Sequence, residues 1–160
     1  MATIPAQSLR APSAEREAAW VGLLQVHADL TRAIDAELSA KVGLSLSAFE
    51  VLLRVAGADD GLMRISDVAE AALLSPSRAS RLVTELEQRG LIERRPCASD
   101  SRVVHARCTE QGRELLGRAF ELYWERVERQ LFANLTDEQV RALAELWPRV
   151  LGREPGPCPT

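Results

Sequence analysis

The stretch SPSRASR, residues 75–81, sets three hydroxyls and two guanidinium groups within seven residues. Arg78 and Arg81 each carry a rigid fork of N–H donors, which suits a planar pair of acceptors such as the O6/N7 edge of guanine. Ser75, Ser77 and Ser80 are short enough to allow close approach and can bond either a base edge or a phosphate. A second basic group follows: Arg94 and Arg95 in LIERRP, then Asp100 and Arg102 in CASDSR. This is chemistry for binding an anionic partner. No Ser/His/Asp set, paired-carboxylate site or glycine loop for phosphate is recognisable, so no enzymatic activity is expected. His27 and His105 are the only histidines and no two cysteines lie close together, so neither a metal nor a cofactor is implied.

The charge distribution agrees. The chain has 160 residues and a formal net charge of -3, with 46% hydrophobic and 27% charged residues. Between residues 76 and 107 seven arginines face four acids, a local net of +3, which leaves -6 for the rest. A basic module on an acidic body is how a compact DNA reader can look acidic overall. No apolar run approaches the roughly 18 residues of a membrane span. The opening residues, MATIPAQSLRAPSAERE, lack a basic-then-apolar leader pattern, so the expected location is cytoplasmic.

The elements that must position these groups follow from periodicity. Residues 1–12 hold two prolines and no period, and are read as a loose arm. Ser13 caps a long helix to about residue 41, in which Trp20, Leu23, Leu24, His27, Leu30, Ile34 and Leu38 recur at three and four; Gly43 ends it. SAFE, residues 47–50, reads as a capping box for a second helix with Phe49, Leu52, Leu53 and Ala56 inward. Ser66 is expected to cap a short third helix, residues 67–73. Ser75 caps a fourth, with Pro76 at its first position, a stripe of Ala79, Leu82, Val83 and Leu86, and Gly90 as the stop. LIERRP and RVVHARC read as two strands around the loop CASDS. Thr109 caps a fifth helix to about residue 133, and TDEQ, residues 136–139, is a capping box for a last helix that Pro148 kinks or ends. GREPGPCPT is a disordered tail.

The fold class expected is mainly α with a small β-hairpin: a winged helix-turn-helix with a helical dimerisation region. Residues 46–108 form the DNA-binding region, residues 13–45 and 109–151 the dimerisation region, with an arm at 1–12 and a tail at 152–160. The outer helices carry more apolar surface than so small a module can bury, and a second copy of the chain is the simplest cover.

The run from Ser75 through RLVTELEQRGLIERRP to ASDSRVVHARCTEQGRELL resembles the MarR family of bacterial transcriptional regulators. The marks are Arg81, Leu82, Val83, Leu86 and Gly90 in a recognition helix, then Leu91, Ile92, Glu93 and Arg94, the wing residues Asp100, Ser101 and Arg102, and TEQG at 109–112. CASDSR is closest to the wing of the SlyA branch. Ser101 departs from the second arginine that many members carry there, which weakens the expected wing contacts. The resemblance implies a homodimer on double-stranded, pseudo-palindromic operator DNA. Ser75, Ser77, Arg78, Ser80 and Arg81 would enter the major groove. Arg102 would reach a minor groove held by Asp100, and one of Arg94 and Arg95 would contact phosphate. Arg64 is a further phosphate candidate.

The resemblance also implies a repressor released by a small effector. By that resemblance the pocket would draw on helices one, two and five, with Arg16, Trp20, His27, Phe49 and Phe120 as candidates. An arginine, an aromatic plate and a histidine would suit an aromatic carboxylate. The other reading of the same residues places Trp20 in a dimer core and His27 as an ordinary polar residue. Peroxide-sensing relatives use a cysteine near the start of the first helix; the first cysteine here is Cys97, so that mechanism does not carry over. Cys97 would respond to oxidants only if basic neighbours lowered its pKa. Two alternatives stay open: an activator or anti-silencer of SlyA type, and a winged-helix protein-interaction module that binds no DNA.

Overall fold

A computed structural model describes residues 12–58, 61–97 and 103–152. The terminal segments, residues 59–60 and residues 98–102 lie outside the described residues. The element order is α1 Ala14–Val42, α2 Leu46–Ala56, β1 Met63–Arg64, α3 Ile65–Ala71, α4 Pro76–Gln88, β2 Ile92–Pro96, β3 Val104–Cys108, α5 Glu110–Gln130, a 3-10 turn Phe132–Asn134 and α6 Asp137–Val150. Among the described residues no helix is long and apolar enough to cross a membrane. The mainly helical fold with a winged helix-turn-helix agrees with the sequence expectation.

Local chemistry sets most boundaries. Ser13, Ser75, Thr109 and Thr136 each accept a backbone N–H from the first turn of their helix. Such a cap is worth about 1 kcal/mol. The Thr136–Gln139 box is complete in both directions. α1 stops where Gly43 turns left-handed. Leu73 takes φ +54° while 94% exposed, and with Leu74 bonding back to Ala69 it closes α3.

Four expectations need correction. Ser45, not Ser47, caps α2: its hydroxyl accepts from Ala48, and Asp35 of α1 takes the Leu46 N–H at 2.7 Å. That cross-helix acceptor moves the helix start two residues forward. Ser66 lies inside α3, whose N-cap is Arg64, and its hydroxyl bonds Asp67. α6 runs through Pro148 to Val150 without ending there. The sheet has three strands in the order β1-β3-β2, because the two residues of β1 pair with His105 and Ala106. Two residues are too few for an alternating pattern to show.

The core joins α2 to everything else. Phe49, Leu52, Val51 and Val55 are fully buried with Leu38 of α1, Val68 of α3, Val83 and Leu86 of α4, and Ile92 of β2. Phe49 stacks on Tyr123 of α5 with ring centroids 5.2 Å apart. Burying a side chain of this size contributes roughly 1.5–3 kcal/mol.

Two contacts fix α5. Glu37 of α1, only 9% exposed, receives Lys41 at 2.8 Å, Arg126 at 2.6 Å and Arg129 at 3.5 Å. The Lys41 hydrogen bond and then the Arg126 guanidinium hold its carboxyl below the usual glutamate range, against the opposing effect of burial. At the other end, Gly112 lies so close to the chain that a Cβ there would come 2.2 Å from the Leu91 carbonyl oxygen and 2.9 Å from the Cys108 sulfur. Only glycine permits this approach. Thr109 reinforces it: its hydroxyl donates to the Gly90 carbonyl at 2.7 Å, and its N–H donates to the Leu91 carbonyl.

Two outcomes follow. Gly112→Ala should destabilise the fold by about 1–3 kcal/mol or more, the usual cost of overpacking; thermal melting reads this, and an unchanged midpoint would show that α5 can move away freely. Glu37→Gln should lower stability at neutral pH. Because the folded pKa is depressed, the native contribution is full above the ordinary value of about 4.3 and is lost as pH falls through the folded one. The variant should therefore show a shallower loss of stability on acidification, measured as denaturation midpoints from pH 7 to 3.

Candidate nucleic-acid interface

α4 presents its first two turns outward. Ser75, Ser77, Arg78, Ser80 and Arg81 are all exposed, while Ala79, Val83 and Leu86 fix the opposite face in the core. The amphipathic period thus decides which side of the helix is free. Ser77 and Arg81 are four residues apart on one face, and Arg81 Nε reaches back only to the Ser77 carbonyl at 3.4 Å. Arg78 turns the other way, donating from Nη2 to the Ser47 hydroxyl of α2 at 3.0 Å. Ser75 is committed as the cap, with its hydroxyl 3.4 Å from that of Ser77.

The wing strands carry a dense ion-pair set. Arg95 bonds Glu93 at 2.9 Å and Arg107 lies 3.7 Å from the same carboxylate. Arg94 points back to α4: its Nη2 donates to the Thr84 hydroxyl at 2.7 Å and its Nε lies 3.2 Å from Glu87. Arg89, at the end of α4, donates to the Gly43 carbonyl at 2.8 Å and ties the recognition helix to the end of α1. Arg64 is exposed beside a concavity of about 470 Å³ that it lines with Asp67 and His105. Asp100 and Arg102 lie outside the described residues.

The structure sets β2 against the second half of α4 through Arg94, while Arg95 pairs with Glu93 of its own strand. Sequence reasoning missed the partners that hold Arg78 and Arg94: Ser47, Thr84 and Glu87. Nothing in a periodicity marks these, because each acts on a residue of another element.

The effector candidates are scattered. Phe49 is buried in the core against Tyr123. Phe120 is exposed and packs edge-on to Trp124 at 6.2 Å. Arg16, Trp20 and His27 are exposed on the first half of α1. A concavity of about 260 Å³ between α1 and the end of α5 is lined by Gly22, Gln25, Val26, Asp29, Leu30, Gln130 and Leu131, and by none of the five candidates. Cys108 is buried, and burial pushes its thiol pKa up, the opposite of a reactive cysteine. Cys97 sits half-buried at the base of the wing.

A helix-turn-helix followed by a hairpin, with serine and arginine on the free face of the second helix, defines a winged-helix DNA-binding protein. Comparison with known proteins narrows the class. Residues 42–103 match the model of the MarR family. The chain is 31% identical over 123 residues to the HTH-type transcriptional regulator PecS of Dickeya dadantii, covering 76% of this chain and 72% of that protein. It superposes with a TM-score of 0.81 and 28% identity on Sco3205, a MarR family transcriptional regulator from Streptomyces coelicolor crystallised in complex with DNA, over 90% of each chain. CouR from Rhodococcus jostii RHA1, bound to p-coumaroyl-CoA, matches with a TM-score of 0.73 and 27% identity over 87% of this chain and 95% of that one. The chain belongs to the MarR family of transcriptional regulators. It is a regulator of transcription.

Arg81→Ala should cost roughly 1–3 kcal/mol on the cognate site and relax discrimination at one base position. Competition titrations against base-substituted sites measure this; an equal loss on every sequence would instead make Arg81 a phosphate contact.

Proposed function

We propose that this protein is a homodimeric, sequence-specific repressor acting in the cytoplasm on a two-fold operator, and that a small aromatic anion releases it. The observation that carries the DNA reading is the free face of α4, where Ser77, Ser80 and Arg81 stand exposed above a buried apolar stripe. A protein-interaction module would have little use for this hydroxyl and guanidinium pattern. Residues 46–108 serve as the reading region, with Arg78 and Ser75 shaping the helix start as well as flanking the groove.

The dimer reading rests on apolar surface left bare. Trp20, Leu23, Leu24 and Val26 of α1 are exposed, as are Phe120 and Trp124 of α5 and Leu146, Trp147 and Val150 of α6. Among the described residues α6 buries none of its own. A set this large, lying on residues 13–45 and 109–151, is best covered by the same set on a second copy. Repression follows when such a dimer occupies a promoter and excludes the polymerase.

The effector class is supported by CouR, whose bound ligand is an anionic thioester of an aromatic acid. Arg16 and His27 supply a cation and a hydrogen-bonding ring on α1, beside the aromatic plate of Trp20, which belongs to the face proposed for dimerisation. Phe49 is better read as a core residue.

The test is an anisotropy titration against DNA from upstream of the protein's own coding sequence, at two salt concentrations and with unrelated DNA as competitor. Tight, competitor-resistant binding, a footprint with half-sites about 10 bp apart, and release by aromatic carboxylates or their thioesters are expected. A monomer in solution, or no preference among DNA sequences drawn from the whole genome, would refute the reading and favour a protein partner.

A further inference from the structure

Among the described residues of the wing, Arg94 reaches back from β2 toward α4. Its Nη2 donates to Thr84 Oγ1 at 2.7 Å, and the Thr84 hydroxyl in turn donates to the Ser80 carbonyl at 2.9 Å. Its Nε is buried 3.2 Å from a Glu87 carboxylate oxygen, close enough for an ion pair though not aligned as a hydrogen bond. β2 is therefore tied to two successive turns of α4, and through Thr84 to the backbone of Ser80 on the free face. The direct chain between the two elements is the three-residue link Arg89, Gly90 and Leu91, in which Gly90 takes φ +72° and Leu91 is buried; Arg94 adds a side-chain tie between β2 and α4 farther along both elements.

We infer that Arg94 is a positioning residue, a strut that sets the angle between wing and recognition helix, with Thr84 and Glu87 as its anchors. The inference rests on the DNA reading proposed above. Two features separate it from an ordinary phosphate contact. The guanidinium already gives a hydrogen bond to a hydroxyl and stands at ion-pair distance from a carboxylate, with its Nε buried, before any DNA arrives. Glu87 also places negative charge where a phosphate would have to sit, which repels the phosphate and neutralises Arg94. As a strut the same acid is useful: it preorganises two elements that must enter DNA together, so less ordering remains to be done on binding.

The two roles assign opposite signs to Glu87. If Arg94 served phosphate, Glu87→Gln would remove a repulsive charge and tighten binding, most of all at low salt. If Arg94 is a strut, Glu87→Gln loosens the wing and weakens binding although the protein becomes less negative. The experiment measures wild type, Glu87→Gln, Thr84→Val, Arg94→Met and the Glu87→Gln/Arg94→Met double variant on the DNA that wild type binds, with thermal melting to show that each is folded. Glu87→Gln and Arg94→Met should each lose about three- to tenfold in affinity, as expected for one partly screened charge-assisted contact. The double variant should lose no more than Arg94→Met alone, the mark of one shared interaction. Unchanged or tighter binding by Glu87→Gln, or losses that simply add, would overturn the strut.

A second readout needs no DNA. Amide hydrogen exchange in β2 should quicken in Glu87→Gln and Thr84→Val while α2 stays protected; equal exchange in β2 would overturn the proposal even if Arg94→Met failed to fold. Faster β2 exchange combined with a wild type that binds no DNA would leave the strut standing and remove the DNA reading instead.

Discussion

The structure turns on one close approach: the start of α5 against the turn that separates recognition helix and wing. Gly112 has no Cβ because the Leu91 carbonyl occupies that space, and Thr109 bonds the Gly90 and Leu91 carbonyls while capping α5. Three elements meet in four residues. α4, β2 and the helix that carries Phe120 and Trp124 thereby meet in direct contact. The Glu37 cluster braces α5 against α1 near its far end.

The arginines divide by what they face. Arg78 bonds Ser47, Arg89 the Gly43 carbonyl, Arg94 Thr84 and Glu87, and Arg95 Glu93. The first three link two segments each, and Arg95 pairs within its own strand. Arg81 reaches only the carbonyl of its own helix. A basic count of the kind that marks a nucleic-acid reader therefore overstates how many cations are free to read. Much of the positive charge in residues 76–107 holds the module together, and the field it projects is softened by Glu87 and Glu93.

Most of the helical skeleton was legible. Ser13, Ser75, Thr109 and Thr136 act through backbone groups three residues away, so a local pattern suffices to find them. The same holds for the buried stripe of α4. The failures share a cause. Ser47 looked like a cap because SAFE is a valid box, but Asp35 of α1 offers the Leu46 N–H a better acceptor. β1 was missed because its two residues become a strand only by pairing with β3. Phe49 was grouped with Trp20 as a pocket residue, yet it stacks on Tyr123 in the core. In each case the deciding partner is distant in the chain.

The amino-acid sequence by itself determined the order of the helices, the starts of α1, α4, α5 and α6, the buried stripe of α4 and the family resemblance. These depend on interactions within a few residues or on a periodicity, and both are written in one dimension. Tertiary structure alone decided which arginines are spent inside the protein, that Glu37 gathers three cations, and that Gly112 must be glycine. Those outcomes depend on which side chains meet across elements, and a guanidinium is equally at home on solvent, phosphate or carboxylate until packing selects one.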